Sequence, residues 1–477
     1  MSRRRKILLI SVAVPGAILL LLVSAYLILS LDAPPPDDAD LRVHVPRVPP
    51  EENAFPLLVE ACDALYWPGT ETWKTVHSPR EEGIEPDTDT LGDGQRLENH
   101  MVIGEKWDAD LAADVLDANR ETLDLIEKAL ARPHFQAPRR KPNGQEFFAI
   151  MGFLRLADLL RVLSWAHAKA GEPQRAVDTA LKMLRLAHGA EASGAGSTHY
   201  LVALTLRLQA LGQLRQLAVT SALSAEGCRA AAAELASLPQ TDEALQRALL
   251  TDYRFAAQTF PQMSDADSLP WRNMGFGGEH WTHNLLTDYR FQPNRTLRLY
   301  ADATRFYIEQ ANRPPWEAWP AVQDWQADIE ARFPDPSAWS SMLKRNSLGR
   351  ELFRHEALSM AGFFAEVFKA ETEHKATRLL LLLKAWKADH GSLPPSLPSL
   401  VPEYIDAVPL DPFDGKPIRY DPQKRILYSV GQDRRDDGGM SESEREAWWK
   451  REYPERAKAG EPPPIWFMPD PSFVIEF

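Results

Sequence analysis

The chain has 477 residues, 44% of them hydrophobic and 25% charged. That length exceeds one ordinary core, and that composition is too apolar for a disordered chain, so two or three folded domains are expected. With 54 Lys and Arg against 67 Asp and Glu the formal charge is −13, which argues against nucleic acid as a partner, and two cysteines exclude a disulfide framework or a Cys-based metal module.

Residues 3–6 are Arg-Arg-Arg-Lys, and no charge follows from Ile7 to Leu31. As a helix that run is about 38 Å long, enough to cross a hydrocarbon core with some tilt. It is longer than the apolar stretch of a signal peptide and lacks a small-x-small cleavage site, so it reads as an uncleaved signal anchor. The basic residues precede the span, which puts residues 1–6 in the cytoplasm, 7–31 across the inner membrane and the rest in the periplasm or another extracytoplasmic space. Cys62 and Cys228 then lie where they could oxidise, but they are distant in sequence and no pairing is assigned. Residues 32–50 contain Pro34-Pro35-Pro36, Pro46, Pro49 and Pro50, the composition of an extended, solvated spacer.

A helical domain is expected over 51–345. Apolar residues at helical spacing predict helices over 51–66, 107–131, 145–170, 174–189, 199–220, 224–237 and 241–259, with a polar loop at about 68–104. The breaks after residue 170 are short, which favours helical hairpins. In one, at about 160–190, Ala166, Gly171 and Ala176 stand at the spacings of a tetratricopeptide repeat, and the segment resembles one. The resemblance implies a helical scaffold or partner-binding surface; no second copy follows 34 residues on. The heptapeptide Leu249–Phe255 recurs at Leu285–Phe291. Residues 262–284, with Trp271, His280, Trp281 and His283, and the stretch 313–325, with Trp316, Trp319 and Trp325, read as loops whose rings fill gaps between helices or form a contact surface. A helix near 294–311 separates them.

From Ser347 to His390 there is no proline, which predicts one long helix or two nearly continuous ones, ending at Gly391. The run Leu379–Leu383 should be buried. Asp414-Gly415 is a turn signal, and residues 417–420 and 426–430 read as short strands that form a hairpin. The succession helix, Gly391-x-x-Pro394, Leu397-x-x-Leu400, Pro409-x-Asp411-Pro412-x-x-Gly415-x-Pro417-x-x-Tyr420, Tyr428-Ser429-x-Gly431-x-Asp433 and Gly438-Gly439 resembles the C-terminal domain of the major pseudopilin of type II secretion systems, over about 370–439. It implies a small α+β domain within 346–439, followed by a tail at 440–477. It also implies a calcium-binding closing loop, with Asp433 at the matching position and Asp436 and Asp437 as acidic neighbours; hard oxygen ligands suit that ion. Arg434 and Arg435 depart from such a loop. The N-terminus departs from a pseudopilin as well, because the fifth residue after Gly16 is Leu21 and not Glu.

No Gly-x-Ser-x-Gly elbow or Walker A loop occurs, and His355-Glu356 is followed by Ser359 where a zincin needs His. Glu371, Glu373 and His374 read as a solvated helix face, and His199 has no assignable partner. The fold class expected is mainly α: a transmembrane helix, a helical-hairpin body and a small α+β C-terminal domain. The function expected is a non-enzymatic, membrane-anchored envelope scaffold or interaction protein with envelope proteins as partners, linked to a secretion or pilus-like assembly. The alternative is an envelope hydrolase with a site in 262–325.

Overall fold

A computed structural model describes residues 20–21, 23–42, 47–67, 107–138, 147–238, 242–264, 291–334, 344–458, 466 and 470–477. The described residues are mainly helical with one small sheet, and the chain's contacts divide it into two units.

One unit comprises Val45–Ala248, Ala311–Pro320 and Phe363–Phe477. Its first helices are α1 (Phe55–Ala64), α2 (Ala109–Ala118) and α3 (Arg120–Leu130). The single helix expected over 107–131 is split at Asn119. That side chain is fully buried, donates to Tyr66 O and Val115 O, and accepts from Tyr66 N at 2.8 Å. An Asn side chain that satisfies a neighbouring backbone in this way competes with helix continuation.

Then come α4 (Phe147–Lys169), α5 (Pro173–Ala192), α6 (Ser197–Thr220) and α7 (Ala225–Ser237). Between α4 and α5, Gly171 takes φ +77, which glycine adopts without Cβ strain. Glu172 N then caps His167 O at 2.9 Å, and Pro173 opens the next helix. Ser164 Oγ donates to Ala176 O at 2.9 Å and accepts from Gln213 Nε2 at 3.1 Å, tying three consecutive helices through one buried hydroxyl. Cys62 and Cys228 are both free and buried, and burial pushes both thiols up, Cys228 to about 11.

The other unit comprises Met1–His44, Leu249–Gln310 and Ala321–Gly362. It holds most of α8 (Asp242–Thr259) and α9 (Pro293–Ala311). Residues 265–290 lie outside the described residues, and with them Trp271, His280, Trp281, His283 and nearly all of the second heptapeptide copy. The stretch 313–325 is not a loop. From Pro315 on it belongs to α10 (Pro315–Arg332), whose residues from Ala321 lie in this unit; Pro315 is the first residue and Pro320 is tolerated inside. Trp325 stacks on Phe306 with centroids 4.5 Å apart.

The expected solvated spacer is also corrected. Asp32 caps α9, accepting from Asn294 N at 2.7 Å and Arg295 N at 3.2 Å. Arg298 donates to Pro34 O, Arg305 pairs with Asp40 at 2.8 Å, Tyr253 OH donates to Asp38 at 3.1 Å, and Leu41 is buried. Carbonyls of an extended Pro-rich segment have no partners of their own, so they are free to accept from arginines on a helix.

Helix α11 (Ser347–His390) is unbroken over 44 residues and stops at Gly391. Leu379–Leu383 is buried throughout. Beyond it, β1 (Arg419–Asp421) and β2 (Ile426–Tyr428) form the expected antiparallel hairpin. Two elements stand where a tail was expected: α12 (Glu442–Glu452), with a full capping box on Ser441 and Glu444, and β3 (Ser472–Val474), which pairs antiparallel with β2. The order β1-β2-β3 buries Leu427 and Phe473 in the same core as the five leucines.

Candidate functional site

The C-terminal module is organised by two buried carboxylates, neither of them among the three that the sequence singles out. Asp411 is fully buried. Its Oδ1 accepts from Phe413 N at 3.0 Å and Ser429 Oγ at 2.9 Å, and its Oδ2 from Val430 N at 3.0 Å and Arg419 Nη1 at 2.9 Å. Burial pushes its pKa up against those donors. Arg419 also holds Asp414 and reaches Asp436 through Nε at 3.3 Å. Burial works against its charge, but the three carboxylates outweigh it and keep the guanidinium protonated. On the other side of the loop, Asp470 Oδ2 accepts from Asp437 N at 2.8 Å and Gly439 N at 2.9 Å. Its Oδ1 is buried with no hydrogen-bond partner among the described residues. Burial raises its pKa, with Asp436 and Asp437 adding to the effect.

Asp433, Asp436 and Asp437 themselves are exposed. Asp433 accepts from Arg435 N at 3.1 Å, Asp436 from Gly438 N at 3.1 Å, and Asp437 pairs with Arg435 at 3.4 Å. The structure thus places them on one short turn, with Asp436 drawn to Arg419. Among the described residues no group of three or more His, Cys, Asp and Glu is arranged to hold a metal ion. Asp411 lies in the Pro-x-Asp-Pro motif and was legible as a position, though not as the hub; Asp470 has no local signal.

A second polar assembly lies inside the helical unit. Glu191 is buried between His188 Nδ1, at 3.3 Å, and Arg207 Nη1, at 3.5 Å. Burial would raise its pKa, but Arg207 and His188 outweigh that and hold it below the usual range. Glu373 and His374 are not the solvated face that their spacing suggests. Glu373 is buried, pairs with Arg215 and accepts from Trp466 Nε1 at 3.0 Å, while Arg215 Nη1 also donates to Thr377 Oγ1 at 2.8 Å. His374 Nε2 lies 2.9 Å from Leu235 O, and burial, with Arg207 and His188 nearby, pushes it down to about 3. These charges join α5, α6 and α11 through directional contacts. His199 is buried as well.

Trp319 sits in the packed interior, edge-on to Phe368 and Phe413, with Nε1 donating to Gln432 O at 2.8 Å. It fills a gap between elements and does not present a contact surface. His280 and His283, the groups named for a hydrolase, lie outside the described residues.

At the N-terminal end, residues 23–30 are helical. Gln292 Nε2 donates to Leu29 O at 2.8 Å and Arg345 to Leu31 O, so the end of this helix is held by its own unit. Among the described residues, seven of the eleven exposed large hydrophobic residues fall in 20–31, with Leu20 at 70%, Leu21 at 68% and Ile28 at 64% exposure. Among the described residues no helix is long and apolar enough to cross a membrane; residues 1–19 and 22, which include the expected cytoplasmic tail and over half of the expected span, lie outside them.

No protein-family model, curated protein or solved structure matches the chain.

Proposed function

We propose that this chain is a single-pass, membrane-anchored scaffold or interaction protein of the cell envelope, with its N-terminus in the cytoplasm and its folded units outside it. The observation that carries the reading is the run of exposed apolar side chains at 20–31, continuous in sequence with the uncharged stretch from Ile7 and preceded by Arg3, Arg4, Arg5 and Lys6. Soluble surfaces rarely leave such a patch uncovered. At roughly 1.5–3 kcal/mol for each large apolar side chain removed from water, covering these residues with lipid is worth on the order of 10 kcal/mol. The positive-inside rule supplies the orientation.

The helical hairpins at 147–237, tied through buried polar contacts, suit a rigid scaffold better than a reaction centre. A link to a secretion or pilus-like assembly rests on the resemblance of 370–439 to a pseudopilin domain, and shared architecture alone is a modest argument for shared function. Calcium belongs to the same proposal. What supports it is the Asp/Gly turn that carries Asp433, Asp436 and Asp437, whose Asp437 amide donates to Asp470, and the Oδ1 of Asp470, buried without a hydrogen-bond partner among the described residues. These oxygens would hold the ion and would exchange the competition of like charges for metal coordination.

The scaffold reading is tested by in-cell cross-linking followed by purification in detergent. Reproducible recovery of a defined set of envelope proteins supports it. Recovery of the chain alone, under conditions that capture a known envelope complex in parallel, refutes it.

A further inference from the structure

A cleft of about 310 Å³ opens within the unit that carries the sheet. That volume is at the small end of ligand-sized pockets and has room for roughly ten atoms of water size. Its floor is closed: Ser472 and Phe473 of β3, Trp165 of α4 and Leu380 of α11 are all buried. The cleft therefore offers side chains to a ligand and not a strand edge. Val219 of α6, Val474 and Phe477 are half-buried on it and supply apolar surface that a ligand can reach.

Two arginines line the same cleft, and their charges are answered differently. Arg215 pairs with the buried Glu373, donates to Thr377 Oγ1 at 2.8 Å and lies 5.6 Å from the centre of the Phe473 ring. Arg445 of α12 is half-buried, and its side chain makes no hydrogen bond or salt bridge among the described residues. Glu476 lines the cleft as well, but it is exposed and does not pair with Arg445, so water and salt screen its charge. A half-buried cation without a counterion, beside reachable apolar surface, is complementary to a ligand with an apolar body and one negative charge.

We infer that this cleft binds a medium-chain aliphatic carboxylate, with its chain along Val219, Val474 and Phe477 and its carboxylate against Arg445. Octanoate, with about ten non-hydrogen atoms, matches the volume, and a two-chain phospholipid is too large for it. None of these contacts depends on the membrane span.

The full chain is purified in one non-ionic detergent and irradiated with an octanoate analogue that carries a diazirine on its alkyl chain. Cross-links are expected on the peptides that hold Val219 and Val474 to Phe477, and unlabelled octanoate should suppress them. Octanamide should need about tenfold more to do the same, because it lacks the charge that Arg445 answers. Hexanoate should also need about tenfold more, since each buried methylene contributes roughly fourfold. Arg445→Gln should weaken octanoate to the level of octanamide and leave octanamide unchanged, and Val219→Trp should fill the cleft and remove the cross-links. Equal suppression by octanoate and octanamide in the unmodified chain overturns the assignment, as do cross-links that spare both peptides or that octanoate does not suppress. An Arg445→Gln chain that keeps the preference for octanoate overturns it as well.

Discussion

Asp411→Asn replaces the buried hub of the C-terminal module with a group of the same shape. The amide oxygen can still accept from Phe413 N and Ser429 Oγ, but its nitrogen is then set against two donors, Val430 N–H and the Arg419 guanidinium. Two hydrogen bonds to a charged acceptor are lost, at about 1.5–3 kcal/mol each. Two effects reduce the total: Arg419 keeps Asp414 and Asp436, and the cost of burying a carboxylate disappears. The net loss should be about 3 kcal/mol, a factor of roughly 100 in the folding equilibrium. Urea denaturation of the full chain, followed by tryptophan fluorescence and by circular dichroism, measures it. Asp433→Asn is the control: its carboxylate is exposed and, among the described residues, accepts only from the Arg435 amide, so it should cost under about 0.5 kcal/mol. A loss below about 1 kcal/mol for Asp411→Asn, or equal losses for the two variants, would refute the assignment of Asp411 as the hub.

His374 should make stability pH-dependent. The folded chain holds it neutral down to about pH 3, while the unfolded chain takes up a proton near pH 6.5, so stability falls as pH drops through that window. By pH 5 the loss should reach about 2 kcal/mol, and His374→Gln should flatten the slope between pH 6.5 and 5; a parallel slope in the variant contradicts this. Gly415 has φ +72, and an added Cβ would lie 2.8 Å from the Trp316 ring, whereas Gly171 has φ +77 and nothing within 4 Å. Gly415→Ala should therefore cost about 2–3 kcal/mol and Gly171→Ala about 1 kcal/mol by urea unfolding, and the reverse order would be wrong for both sites. For calcium, a thermal scan of the full chain should show a higher midpoint in millimolar calcium than in chelator, and Asp470→Asn should remove the difference; identical midpoints would end the proposal.

Much of the helical framework was legible because its punctuation is local. Gly171-Glu172-Pro173 and Gly391 are cap residues, and both stop helices where their chemistry requires. The apolar run Leu379–Leu383 had only one possible environment. What escaped depends on partners distant in sequence. Asn119 breaks a helix through its contact with Tyr66, and Asp32 caps a helix that begins at Pro293. Strand β3 is three residues long, too short to show alternation, and exists because β2 offers an edge. In α10, prolines that usually mark loops sit at the first turn and at one tolerated interior position. The site divides in the same way. Motif spacing led to the exposed Asp433, Asp436 and Asp437, while the carboxylates that order the module, Asp411 and Asp470, draw their roles from Arg419 and from the amides of Asp437 and Gly439. Nothing in helical spacing distinguishes Glu191, Glu373 and His374 from a solvated face, because burial of a charge is decided by the arginines brought against it.

Membrane anchoring with the body outside the cytoplasm is tested most directly by fractionation combined with protease accessibility. The full chain, tagged at its N-terminus, is expressed in a Gram-negative host, its membranes are extracted with alkaline carbonate, and intact spheroplasts are treated with protease. The account predicts that the chain stays in the membrane pellet and that protease removes residues beyond 31 while the tag stays protected. Release into the carbonate supernatant, or a body that protease reaches only after the spheroplasts are lysed, would contradict it.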